Sequence, residues 1–254
     1  MDEDDSFWGA YESLAKKYDC LTEDVAYPKR ADFVEKLFST AQIPVHTVLD
    51  LACGTGTMTA LLTERGYEMI GVDASAEMLQ CAQEKSAGLS GIPPLYLQQP
   101  MQKLDLYGTV DAVICCLDSI NYLLRSEDVR RTFERVHLFL APGGAFVFDV
   151  HAPAYLKKLD GQTFVDEKED CYCVWTTLKR KRNDCIDYML DLFLQERDGR
   201  WRRTTELHTQ RPYTREELTG WLRDTGFADI RVYGDCRLRR PKEEERMYFR
   251  CIRK

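Results

Sequence analysis

The chain has 254 residues, 44% of them apolar and 30% charged, enough to bury a full core and too apolar for a disordered chain. No apolar run approaches the ~20 residues that span a bilayer. The acidic start Met1-Asp2-Glu3-Asp4-Asp5 lacks the basic stretch of a signal peptide, so a cytoplasmic protein with no membrane partner is expected. A net charge of −7 argues against broad affinity for nucleic acid, although residues 151–254 carry 23 basic against 19 acidic side chains.

Two helices are expected at the start. Phe7, Tyr11, Leu14, Ala15 and Tyr18 recur at helical spacing, and Pro28 opens a second stretch with Phe33, Val34, Leu37 and Phe38 on one side. Strands then alternate with helices. Residues 48–51 read as a strand, 57–65 as a helix closed by Gly66, and 69–72 as the next strand. A helix capped by Ser75 follows, then strands at 95–97 and 110–117. Ser126 is expected to cap a helix running to about Leu140, which the turn Ala141-Pro142-Gly143-Gly144 breaks before a fifth strand at 145–150. Continuously apolar strands alternating with helices predict a parallel sheet covered on both faces.

The period changes at residues 162–211. Alternation as in Cys185-Ile186-Asp187-Tyr188, with tight-turn pairs at Asn183-Asp184 and Asp198-Gly199, predicts a three-stranded antiparallel meander. The α/β rhythm then resumes: Thr214-Arg215-Glu216-Glu217 is a capping box for a helix ending near Gly226, and strands follow at 230–233 and 247–252. The expected architecture is a doubly wound α/β domain (1–160 and 212–254) with seven strands and an N-terminal helical segment. Residues 161–211 form an inserted β cap. The chain has ten cysteines. Cys53, Cys81, Cys115 and Cys116 lie inside patterned elements, and the pair Cys171 and Cys173 lacks a second pair at zinc spacing; reduced thiols and no metal are expected.

The strongest chemical signal is Val48-Leu49-Asp50-Leu51-Ala52-Cys53-Gly54-Thr55-Gly56-Thr57. An apolar strand ends in an acid, and a turn of small residues lets a ligand approach the backbone before a helix begins. Gly71-Val72-Asp73 ends the next strand in a second acid, where a sugar bound across the first turn would present its hydroxyls. A dinucleotide fingerprint would have a third glycine at Thr59, and Asp50 would repel a pyrophosphate. A cationic nucleoside such as S-adenosylmethionine suits that acid better.

This run, with Gly71-Val72-Asp73, resembles the first two motifs of class I S-adenosylmethionine-dependent methyltransferases. Tyr18-Asp19, Asp24-Val25-Ala26-Tyr27, Asp118-Ser119-Ile120-Asn121-Tyr122-Leu123, Phe148-Asp149-Val150-His151-Ala152-Pro153 and His208-Thr209-Gln210-Arg211-Pro212-Tyr213 are similar to segments of a small bacterial subgroup. The resemblance implies a Rossmann-like fold and S-adenosyl-L-methionine as cofactor. It further implies that Ala52, Cys53, Gly54 and Gly56 underlie the cofactor, that Asp50 orients its amino acid end, and that Asp73 accepts its ribose hydroxyls. Ala74, Met78 and Leu117 would lie beside the adenine or the methionine chain, with Tyr18 near by. Ala52 stands where glycine is commonest. Pro100 replaces the usual Asp that holds the adenine amino group, leaving Met101 and Gln99 to read the base.

A hydroxyl acceptor would benefit from a general base, whereas a neutral amine needs little beyond alignment. The candidate catalytic groups are Asp118 after the fourth strand, His151 after the fifth, and His208 at the end of the cap. The expected activity is methyl transfer to an N or O of a small-molecule acceptor by a monomer or homodimer. The alternatives are RNA methylation through the basic cap, or a cofactor-binding protein without turnover.

Overall fold

The computed structural model describes residues 14–181 and 183–254. Phe7 and Tyr11 lie outside the described residues; the first described helix is α1, Ala15–Leu21. Helix α2, Tyr27–Phe38, carries Pro28 in its first turn, where the missing N–H costs nothing, and buries Phe33, Val34, Leu37 and Phe38.

The alternating core follows as β1 (Thr47–Leu51), α3 (Thr57–Glu64), β2 (Glu68–Asp73), α4 (Ala76–Ser86), β3 (Leu95–Gln98), β4 (Val110–Cys115), α5 (Ser126–Phe139) and β5 (Leu140–Val150). Ser75 caps α4 by accepting from the Met78 N–H at 3.2 Å. Ser126 is not a cap: it is the first residue of α5, and the residue before it, Arg125, makes no side-chain cap bond. Glu127 and Asp128 instead place negative charge at that helix start. The segment Ala141-Pro142-Gly143-Gly144 is absorbed into β5, whose pairing with β4 shifts register between Val110 and Ala112. Gly144 permits this close approach, since a Cβ there would sit 2.5 Å from the Asp111 carbonyl oxygen.

After β5 come α6 (Pro153–Lys158) and four strands, β6 (Thr163–Glu167), β7 (Cys171–Lys179), β8 (Ile186–Gln195) and β9 (Trp201–Gln210). They pair antiparallel in the order β6-β7-β8-β9. The cap therefore has four strands rather than three. The extra one, β6, has no buried residues, and its tight turn into β7 at Glu169-Asp170, closed by the Lys168 N–H to the Cys171 carbonyl at 2.8 Å, carries no glycine. Helix α7 (Arg215–Asp224), β10 (Phe227–Tyr233) and β11 (Met247–Arg253) complete the chain, and Thr214 and Glu217 form the full capping box at α7.

The main sheet has seven strands in the order β10-β11-β5-β4-β1-β2-β3. β1 to β5 are mutually parallel, and β11 runs antiparallel between β5 and β10. Two apolar layers cover it. Leu49, Leu51, Val113, Phe146 and Phe148 pack towards α5 and α7, while Val48, Ala112, Ile114 and Val147 pack towards α2 and α3. In such a sheet the crevice beyond the carboxyl ends, where strand order reverses beside β1, is the place for a ligand.

The cap is tied to that end by buried polar bonds. Asn121, fully buried, donates Nδ2–H to the Arg211 carbonyl at 2.8 Å and accepts the His151 N–H at 3.0 Å. The inward face of β7 and β8 (Cys171, Cys173, Leu190, Leu192) packs on Leu14 and Leu21 of the N-terminal helix segment. Replacing Asn121→Ala strands a buried acceptor and a buried donor, so we expect a loss of about 3 kcal/mol in urea unfolding. A loss below about 1 kcal/mol would show that these bonds do not hold the cap in place.

Candidate active site

The turn after β1 is built from left-handed residues: Ala52 at φ 60°, Gly54 at 54° and Gly56 at 71°. The two glycines serve different ends. A Cβ on Gly56 would lie 2.8 Å from the Ala82 Cβ and the Tyr96 hydroxyl, so glycine there lets β1, α4 and β3 close up. A Cβ on Gly54 would meet nothing within 4 Å, because this residue faces a cleft of about 930 Å³, counting its open mouth.

Tyr18, Asp50, Ala52, Cys53, Gly54, Asp73, Ala74, Met78, Gln99, Met101 and Leu117 all line this one cleft, joined by Tyr27, Cys116, Ser119 and Tyr122. Of the residues the motifs imply, Gly56 alone lies behind the wall. The side-chain amide of Gln99 is already committed, accepting from the Asp105 N–H at 2.7 Å and donating to the Asp105 carbonyl at 3.0 Å. Asp73 is held by the backbone N–H groups of Gly54 (2.8 Å) and Ser75 (2.9 Å), while its burial pushes the carboxyl above the ordinary value.

Asp50 is 2% exposed and accepts from the Thr59 hydroxyl at 2.6 Å. Burial, reinforced by the charge on Asp73, raises its carboxyl to about 7. The residues lining the cleft include two buried acids and no lysine or arginine. That donor set fits a cation far better than a phosphate. S-adenosylmethionine, with its sulfonium and ammonium, matches it.

Beside the cleft lies a denser polar cluster. β4 ends at Cys115 rather than Leu117, because Leu117 and Asp118 both turn left-handed, at φ 58° and 54°. Fully buried Asp149 fixes that turn by accepting the N–H groups of Leu117 (2.9 Å) and Asp118 (3.2 Å). Arg246, entering from the residue before β11, binds Asp149 and lies 2.6 Å from Asp118. Its other nitrogen donates to His151 Nε2 at 3.0 Å, and His151 is 3.3 Å from Asp118 and stacked on Tyr155 at 4.5 Å. Gln210, at the end of β9, donates to the second Asp118 oxygen at 2.5 Å and accepts from the Tyr188 hydroxyl at 3.0 Å.

The structure thus brings two of the three expected catalytic residues together and keeps the third apart. Burial would raise the Asp118 carboxyl, yet His151 and Arg246 hold it below the ordinary value. Burial and the Arg246 guanidinium keep His151 down at about 4, against the pull of Asp118. His151 is therefore neutral at pH 7; its Nε2 accepts from arginine, so its proton sits on Nδ1. His208 is 3% exposed, bonded through Nε2 to Glu206 at 3.0 Å and edge-on to Tyr122. Glu206 also accepts the Leu14 N–H at 3.0 Å, so this pair braces the N-terminal segment against the cap.

Arg246 escaped the sequence reading, while Asp149 and Gln210 stood in signature segments without a role assigned to them. Arg246 follows Glu243-Glu244-Glu245 in a charged loop, and no local pattern separates it from its neighbours. Asp19 had a signal in the Tyr18-Asp19 signature. Its carboxylate accepts from Thr55 (2.6 Å) and Thr57 (3.1 Å) and pairs with Lys85 (2.6 Å), latching α1 onto the glycine turn.

Non-glycine left-handed residues cost about 1–2 kcal/mol each. Ala52→Gly should therefore raise stability in urea unfolding by about 1 kcal/mol. Gly54→Ala should lower it by a similar amount and also weaken cofactor binding, since its methyl enters the cleft. Equal stabilities for Ala52→Gly and the parent would contradict the strain at this position.

Residues 48–144 match the family pattern described as a methyltransferase domain. YqeM of Bacillus subtilis (strain 168), which carries a provisional methyltransferase name, is 34% identical over 244 residues, covering 94% of this chain and 96% of its own. A glycine/sarcosine N-methyltransferase of Halorhodospira halochloris is 26% identical over 201 residues, covering 74% and 68% respectively. The crystal structure of an S-adenosylmethionine-dependent methyltransferase from Clostridium acetobutylicum ATCC 824 superposes with a TM-score of 0.85 at 26% identity, covering 96% of this chain and 98% of that one. With the glycine turn, the paired acids and full-length kinship in agreement, this chain belongs to the class I S-adenosylmethionine-dependent methyltransferases.

Proposed function

We propose that this enzyme methylates a nitrogen of a small-molecule acceptor held between the cofactor cleft, α1 and the β cap. The observation that carries this reading is that two of the candidate bases, Asp118 and His151, are already engaged. Asp118 is paired with Arg246 and Gln210, and the His151 lone pair at Nε2 accepts from Arg246. A hydroxyl acceptor would need one of them disengaged; a neutral amine needs none. The glycine/sarcosine N-methyltransferase relative acts on small amines by its name, which supports the same acceptor class.

The bound cofactor supplies a methyl group on a sulfonium, so that alignment alone contributes ~7–11 kcal/mol to lowering the barrier. Asp73 would take the ribose hydroxyls and Asp50 the ammonium. Ala74, Met78 and Met101 would hold the adenine, and Leu117 would sit beside the adenine or the methionine chain. Tyr18, Tyr27 and Tyr122 close the cleft and exclude water. Asp118, anionic at neutral pH, offsets the positive charge that appears on the acceptor nitrogen, while Arg246 holds both Asp118 and His151 in place. His208 acts through Glu206 as a brace of the lid.

RNA as acceptor is disfavoured by the state of the cap's basic side chains. Lys179, Arg180, Arg200, Arg202 and Arg203 are paired with Asp184, Asp187, Asp198, Glu196 and Asp191 at 2.5–3.3 Å, leaving little charge for a phosphate backbone.

Two measurements test this reading. An ammonium beside Asp50 favours its ionised form, so below pH 7 binding must first remove a proton. Calorimetric affinity for S-adenosylmethionine should be flat above pH 7 and fall up to about tenfold per unit below it. Asp50→Asn should abolish that slope, and Asp73→Ala should weaken binding about 10- to 100-fold; a pH-independent affinity in the parent would refute the role of Asp50. Methyl transfer should then be compared on matched acceptors, glycine against glycolate and an amino sugar against its hydroxyl counterpart. Label on the amine member of a pair supports the proposal, and label on the hydroxyl member overturns it.

A further inference from the structure

We propose that the cleft holds the base of its cofactor without reading the 6-amino group, and that Pro100 sets this tolerance; the assignment rests on the placement of the base between Ala74, Met78 and Met101 given above. The pairing edge of adenine presents a donor, the exocyclic amino group, beside an acceptor, the ring nitrogen N1. A pocket that selects for the amino group must set an acceptor against it.

Among the described residues, the polar side chains that line this end of the cleft are already engaged. Gln99 lends both ends of its amide to the Asp105 backbone, at 2.7 and 3.0 Å. The Ser75 hydroxyl accepts the Met78 N–H at 3.2 Å and donates to Glu77 at 3.1 Å. Each Asp73 oxygen takes a backbone N–H, Oδ2 from Gly54 and Oδ1 from Ser75, which holds the carboxylate beside the glycine turn. Main-chain carbonyls along the same edge are occupied too. Those of Asp73 and Pro100 accept the N–H groups of Gln99 (2.9 Å) and Lys103 (2.8 Å), and that of Ala74 accepts from the Gln98 amide at 3.1 Å.

Pro100 stands between two residues that line the cleft, Gln99 and Met101. Its φ of −71° and ψ of 144° are open to any residue, so the backbone does not demand proline there. Its ring brings neither an N–H nor a side-chain oxygen. What remains for the base is apolar: Met78 and Met101 are 2% and 5% exposed, and their thioethers suit a flat aromatic ring. The base is thus selected by shape, and its amino group, gaining no partner beyond water, adds little to affinity.

Calorimetry on the full chain tests the proposal with S-adenosylhomocysteine and its 6-deamino analogue, in which purine replaces adenine. Both ligands carry the same charge and the same N1. The analogue should bind the parent no more than about threefold more weakly. Pro100→Asp supplies a charged acceptor and should tighten S-adenosylhomocysteine about tenfold while moving the analogue less than about threefold. Pro100→Ala, which brings no acceptor, should keep the parent's ratio. Pro100→Asn should favour the amino ligand about threefold and serves if the aspartate variant misfolds. A larger preference of the parent for the amino ligand overturns the proposal, as does a folded Pro100→Asp protein that binds both ligands alike. Failure of both ligands to bind the parent overturns the placement of the base, and the proposal with it. No methyl acceptor enters the measurement, so either result leaves the amine reading standing.

Discussion

The guanidinium of Arg246 is the constraint on which the catalytic end of the molecule depends. It is bound to two carboxylates and an imidazole drawn from two segments: Asp118 after β4, and Asp149 and His151 at the end of β5. A charge buried so deeply is tolerable only when neutralised and hydrogen-bonded on all sides. The two acids supply that neutralisation, and in return the arginine holds both in place. Asp149 also accepts the two backbone N–H groups that hold Leu117 and Asp118 in left-handed geometry, so one ion cluster sets the shape of the cleft wall at Leu117.

Strain and charge are concentrated at the same end of the sheet. Ala52, Leu117 and Asp118 are non-glycine residues at φ 54–60°, all bordering the cleft or its neighbouring cluster. Such conformations persist only where the surroundings over-determine them. Here Asp149 does so for Leu117 and Asp118, while the Cys53 N–H to the Val72 carbonyl (3.0 Å) pins the turn that follows Ala52. The electrostatics divide the end into two compartments. The cleft side, with Asp50 and Asp73 and no base in its lining, is uncompensated and suits a cationic ligand. The cluster around Arg246 is nearly self-neutralised.

Closure of these compartments falls to elements outside the α/β core. The N-terminal helix is held to the glycine turn by Asp19 and to the cap by Glu206, and the cap is held to the post-β4 segment by Asn121 and Gln210. None of these bonds is long-lived in water on its own; their shared burial gives them weight. The lid is therefore one connected structure, which accounts for the burial of His208.

Much of the fold was legible in the sequence because it rests on local rules. Apolar runs of four to six residues between amphipathic segments gave a seven-stranded sheet, and the acid-ended strands with small-residue turns located the cofactor cleft, where all but one of the implied residues converge. The errors were also local in origin. The strand β6 lacks a buried stripe, and the end of β4 was read too long because left-handed geometry at Leu117 leaves no mark in residue type. What the sequence determined alone was the scaffold and the kind of cofactor, since both follow from periodicity and from residues adjacent in the chain. The tertiary structure decided the polar cluster beside the cleft. Arg246, Asp149, Asp118, His151 and Gln210 come from four separate stretches, and whether a histidine serves as base or as a bound partner depends on contacts that only packing creates.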